Sequence, residues 1–81
     1  MFYERNKEIA IMILSGATYH EAAKEFSLTP ERVRQITAAL CEKVDPDIFF
    51  SARIGVRTFK MKVLRKNAEY LIKLIHNFEP N

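Results

Sequence analysis

Thr18-Tyr19-His20-Glu21-Ala22-Ala23-Lys24-Glu25-Phe26-Ser27-Leu28-Thr29-Pro30-Glu31-Arg32-Val33-Arg34-Gln35-Ile36 is the stretch on which the fold turns. Thr18 and Glu21 stand in capping-box spacing: the threonine accepts from a backbone N–H of the first turn, and the glutamate reaches back to the cap. A helix is predicted from about Tyr19 to Phe26. Ala22, Ala23 and Phe26 line one narrow face, made mostly of small residues that let a second helix cross closely. Ser27-Leu28 then make a short turn. Thr29-Pro30 restarts a helix with a good N-cap and a proline at the first helical position, where its missing N–H costs nothing. In this next helix Val33, Ile36 and Leu40 form a core stripe, while Glu31, Arg34, Gln35 and Ala38 lie around the other side.

Two short helices, a turn of about three residues and apolar side chains to fill the angle between them (Tyr19, Phe26, Leu28, Val33 and Ile36) predict a helix-turn-helix over about residues 18–40. Glycine is usual in the turn. Ser27 holds that slot here, which requires either a positive φ or a different turn.

Working toward the N-terminus, Ile9, Met12 and Ile13 recur at helical spacing between Glu4 and Leu14, and Gly16 just beyond ends that helix cheaply. In the other direction, Asp45-Pro46-Asp47 stops the third helix. Residues 48–55 read equally as a short helix or an extended segment. From about Val56 to Phe78, Leu64, Ala68, Leu71, Ile75 and Phe78 step by threes and fours, predicting a long amphipathic C-terminal helix. With Ile72 and Leu74 beside it, that stripe is broader than a small monomer needs, so the expectation is a homodimer built on those five residues. The predicted architecture is an all-α single domain over residues 1–81, with four to five helices around a central helix-turn-helix.

A chain of 81 residues buries too little surface for two independent cores. Its 48% hydrophobic content and few glycines and prolines mark it as globular. Cys41 is the single cysteine, which excludes an intrachain disulfide and fits a cytoplasmic protein. The apolar run Ile9 to Leu14 is too short for a membrane span of about 20 residues. Glu4 and Glu8 interrupt the positive flank a secretory signal would carry.

The net charge of +3 is unevenly placed. Up to Val44, Arg5, Lys7, Lys24, Arg32, Arg34 and Lys43 are balanced by Glu4, Glu8, Glu21, Glu25, Glu31 and Glu42. From Arg53 to Lys66 the chain carries Arg53, Arg57, Lys60, Lys62, Arg65 and Lys66 without an acid, a stretch suited either to a polyanion or to solvent.

The segment Thr18 to Ile36 resembles the promoter-reading helix-turn-helix of bacterial sigma factors, the region that recognises the minus-35 element. The closest part is Glu25-Phe26-Ser27-Leu28-Thr29-Pro30-Glu31-Arg32-Val33-Arg34-Gln35-Ile36, because a Thr-x-Glu-Arg-Val/Ile-Arg-Gln-Ile run opens the recognition helix in that family. The match covers about a quarter of the chain, and many regulators share its apolar frame. The resemblance implies that Glu31 and Gln35 face base edges and that Arg32 and Arg34 lie near phosphates or a protein partner such as RNA polymerase. Where the family commonly has a guanine-reading arginine this chain has Pro30, so a different DNA sequence is implied.

Independently of any family, a helix fits the major groove and presents the exposed residues of its first turns to base edges. Glu31 is suited to accept from a cytosine amino group, and Gln35, one turn on, to pair with adenine in bidentate fashion. Arg32, Arg34 and Lys24 flank that face and suit phosphates, as does the Thr29 hydroxyl at the helix start. Lys60, Lys62 and Arg65 are the further backbone-contact candidates. Each residue also has a structural role open to it: Glu31 favours a helix N-terminus whatever it touches, Arg34 is spaced to pair with Glu31, and Thr29 is first a cap.

Elsewhere, His20, His76 and Cys41 do not form a metal-ligand spacing. Two glycines cannot write a phosphate-cradling loop. The expectation is a non-enzymatic regulator that binds double-stranded DNA and needs no cofactor or metal. The alternative is a protein-interaction module that docks on RNA polymerase or another regulator without reading DNA.

Overall fold

Six helices follow one another through the computed structural model, which describes residues 2–55 and 58–79: α1 Phe2–Leu14, α2 Tyr19–Phe26, α3 Pro30–Val44, α4 Pro46–Ala52, α5 Met61–Lys66 and α6 Ala68–Asn77. No strand occurs among the described residues, where the one extended pairing is an isolated antiparallel bridge between Arg53 and Phe59. Local signals set most boundaries. At the end of α1, Gly16 takes φ 117°, and the N–H groups of Gly16 and Ala17 donate to the carbonyls of Ile13 and Met12. This paired arrangement satisfies two carbonyls that the helix end would otherwise leave bare. The Thr18–Glu21 capping box forms in both directions, at 3.0 and 2.8 Å.

Ser27 resolves its two alternatives in favour of strain: it adopts φ 57°, ψ 45°. Both its own N–H and that of Leu28 then donate to the Ala23 carbonyl. Thr29 caps α3 by accepting from the Arg32 N–H at 3.1 Å, with Pro30 in the first turn. The undecided stretch 48–55 divides: residues 48–52 join α4, because the Asp45 side chain accepts from the Ile48 N–H and Pro46 opens the helix, and residues 53–55 leave the helix, Arg53 pairing with Phe59.

α3 is the hub. It packs on α1, α2, α4 and α6, so its Val33, Ile36, Thr37, Leu40 and Cys41 are buried. Thr37 is the polar exception, and its hydroxyl donates to the Val33 carbonyl one turn back at 2.9 Å, which removes the cost of burying it. Around this helix close Ile9 and Ile13 of α1, Ala22 and Ala23 of α2, Phe49 of α4, Leu64 of α5, and Leu71 and Ile75 of α6.

Two expectations are corrected. There are six helices among the described residues rather than four to five. The long C-terminal helix is two shorter ones, the first beginning at Met61 rather than near residue 56; residues 56 and 57 lie outside the described ones. The break falls at Asn67, whose side-chain amide donates to the Val63 carbonyl at 3.0 Å while its backbone N–H turns to Leu64. An asparagine that takes the i−4 carbonyl for its side chain displaces the helical bond that belongs there.

The stripe expected to meet a second copy contributes to the core of the subunit itself. Leu64, Leu71 and Ile75 are fully buried within the subunit, and Ala68 and Phe78 are half-buried against the same core. That apolar surface serves the single small core shared with the other four helices, since a domain of this size buries only about 60% of what its unfolded chain exposes.

Candidate nucleic-acid interface

With four neighbours taking its other sides, α3 shows solvent one strip: Glu31, Arg32, Gln35, Ala39, Glu42 and Lys43 are exposed. Their spacing follows directly from a helix whose core stripe falls at Val33, Ile36, Leu40 and Cys41. Pro30, at the start of the strip, is half-buried and offers no donor. Thr29 is exposed, and its hydroxyl oxygen accepts as the cap, a role that does not use its O–H donor. On the preceding helix Lys24 is exposed.

At the first turns the strip is a connected group rather than a row of separate side chains. Arg34 Nε donates to Glu31 Oε1 at 3.0 Å and its second guanidinium nitrogen to Oε2 at 2.7 Å. Gln35 Nε2 approaches the same Oε2 at 3.4 Å. The Glu31 carboxylate holds the Arg34 guanidinium further above its ordinary pKa. Arg34 is the less exposed partner, at 21% against 59% for Glu31, and lies close enough to Tyr19 of α2 for the two to influence each other. Burial raises the Tyr19 phenol above its usual value, with Arg34 and Arg65 acting in the opposite direction. Expected on phosphates, Arg34 is therefore committed first to Glu31.

Arg65, also assigned to DNA phosphates, has another task. Its Nε donates to the Ile13 carbonyl at 3.1 Å and its terminal nitrogen to the Ala17 carbonyl at 2.9 Å. A guanidinium beside a helix C-terminus meets the negative end of the helix dipole, and here it adds a second donor to Ile13 and bonds the carbonyl of the turn that follows, so Arg65 fastens α5 to the end of α1. Lys60 and Lys62 are exposed, on a segment that packs against α4 and α6. Arg57 of the same basic run lies outside the described residues.

Beside α3 lies the bridged turn after α4, where Thr58 and Phe59, which sequence reasoning missed, join Arg53 of the basic run. Arg53, Thr58 and Phe59 face Gln35 and Glu42 of α3 across a groove of about 260 Å³. The turn is closed by the Ile54 and Gly55 N–H groups donating to the Thr58 carbonyl at 2.9 and 3.2 Å, and the Arg53 guanidinium lies over the exposed Phe50 ring at 5.7 Å. The available signal was Gly55 between Ile54 and Thr58-Phe59, residues of strand type around a turn former.

Among the described residues no group of three His, Cys, Asp or Glu side chains is placed to hold a metal, and no helix is long and apolar enough to cross a membrane. Comparison with protein-family models, curated proteins and solved structures finds no match to this chain.

Proposed function

We propose that this chain is a transcriptional regulator that binds double-stranded DNA, with α2 and α3 acting as a helix-turn-helix and α3 entering the major groove. The observation that carries the reading is the exposure of Glu31, Arg32 and Gln35 at the start of a helix whose remaining sides are packed. A helix of fifteen residues is about 22 Å long, and its first turns are the part that reaches base edges in such modules. The resemblance of residues 18–36 to the sigma-factor promoter-reading segment points the same way. In this reading Pro30, Glu31 and Gln35 form the base-facing surface, and Lys24, Thr29 and Arg32 hold the backbone, joined by Lys60 and Lys62 from the basic run. The binding unit is a monomer, since the stripe expected to pair two copies lies in its core.

One observation favours docking on a protein such as RNA polymerase. Glu31 and Glu42 offset Arg32 and Lys43 along the strip, whereas phosphates call for an excess of cations. Fluorescence anisotropy with a labelled random-sequence duplex at low salt separates the two readings. DNA binding predicts saturable association that weakens with salt, with a log–log slope of about −0.9 per phosphate neutralised. Absence of association at low salt supports the protein-docking reading.

A further inference from the structure

Resting on the DNA-binding reading above, we infer that Glu31 does not itself read a base but orients the Gln35 amide, so that the two residues specify a single A·T pair rather than two separate positions. The geometry carries this. Both Glu31 oxygens are engaged by Arg34 in a two-pronged contact at 3.0 and 2.7 Å. Reading cytosine would turn the carboxylate from a cationic, two-pronged partner toward a single neutral amino donor, which forfeits the ion pairing and the fixed geometry of the fork. A bare carboxylate would also enter a groove lined by phosphates, whereas the paired carboxylate enters neutralised.

The same carboxylate settles which way Gln35 faces. Glu31 Oε2 only accepts, so the amide edge turned toward it at 3.4 Å must be the NH2 group. That leaves outward the amide oxygen and the second N–H of Nε2. One acceptor beside one donor is the complement of adenine N6 and N7 on the major-groove edge. With Glu31 removed, the amide is released to turn either way and present its donor edge instead, which discards the discrimination.

Selection of bound duplexes from a randomised pool, run in parallel on the full chain and on its Glu31→Ala and Gln35→Ala variants, tests this. The expected result for the unmodified chain is enrichment of A·T at one position, roughly five- to hundredfold over other pairs. Gln35→Ala abolishes that preference, and Glu31→Ala reduces it at the same position while leaving the other positions unchanged. Circular dichroism confirms that the variants, both changed at exposed sites, remain helical. Relaxation by Glu31→Ala at a second, C·G-enriched position shows that Glu31 reads a base and overturns the inference. An A·T preference undiminished by Glu31→Ala overturns it equally, with the DNA-binding reading intact. If the unmodified chain enriches no duplex at all, the underlying reading fails and takes this inference with it.

Discussion

Ser27 carries the clearest local tension in the chain: a non-glycine residue at φ 57°, in the turn that sets α3 against α2. A side chain in this left-handed region costs about 1–2 kcal/mol, and glycine would recover most of it while losing some stability to a freer unfolded chain. Ser27→Gly is therefore expected to stabilise the fold by about 0.5–1 kcal/mol, read as a rise of a few degrees in Tm; a fall would mean that the turn is not strained. Cys41 supplies a second residue-scale test. Burial pushes its thiol up to about 12, so almost no thiolate exists at neutral pH and thiol reagents should label it only after denaturation. Its sign under linkage is that of an acid with a raised folded pKa. Its contribution to stability is whole below the ordinary thiol value and declines as pH rises through the alkaline range.

Among the elements, α2 and α3 were legible because their signals are local: the capping box at Thr18, the Thr29-Pro30 start and the periodic apolar stripe need no knowledge of neighbours. The single C-terminal helix was misread because Asn67 breaks it through a side-chain bond that hydrophobic periodicity does not register. The bridged turn at Arg53–Phe59 depends on pairing across the chain and on packing beside α3, which no spacing rule displays. The bonds of Arg65 were hidden for a related reason, since a basic run gives charge but not the carbonyl that one member finds 52 residues away. That difference is measurable. Arg65→Ala should destabilise the fold by about 1–2 kcal/mol through two lost charge-assisted bonds at a partly exposed site, with a salt slope for DNA binding close to that of the parent chain. Lys60→Ala and Lys62→Ala should do the reverse, leaving stability within about 0.5 kcal/mol of the parent and each reducing the slope by about 0.9. Equal effects of all three substitutions would dissolve the distinction drawn between the fastening arginine and the exposed lysines.

At the scale of the whole molecule, one core draws on every helix, and α3 contributes to it while keeping one strip in solvent. Leu64, Leu71 and Ile75 close that core, so sedimentation at micromolar concentration should give a single species with the mass of one chain, 9.5 kDa; a stable dimer would require a surface other than this stripe. The division of α3 into a packed side and an open side is what the functional reading depends on. Its most direct test is a titration of isotopically labelled chain with a duplex of random sequence at low salt, following backbone amides by NMR. The predicted result is that shifts concentrate at Thr29 to Ala39 and around Lys24, with the amides of α6 unmoved. Shifts confined to α1 and α6, or none while the duplex is in excess, would contradict the claim that the open side of α3 is the surface that meets DNA.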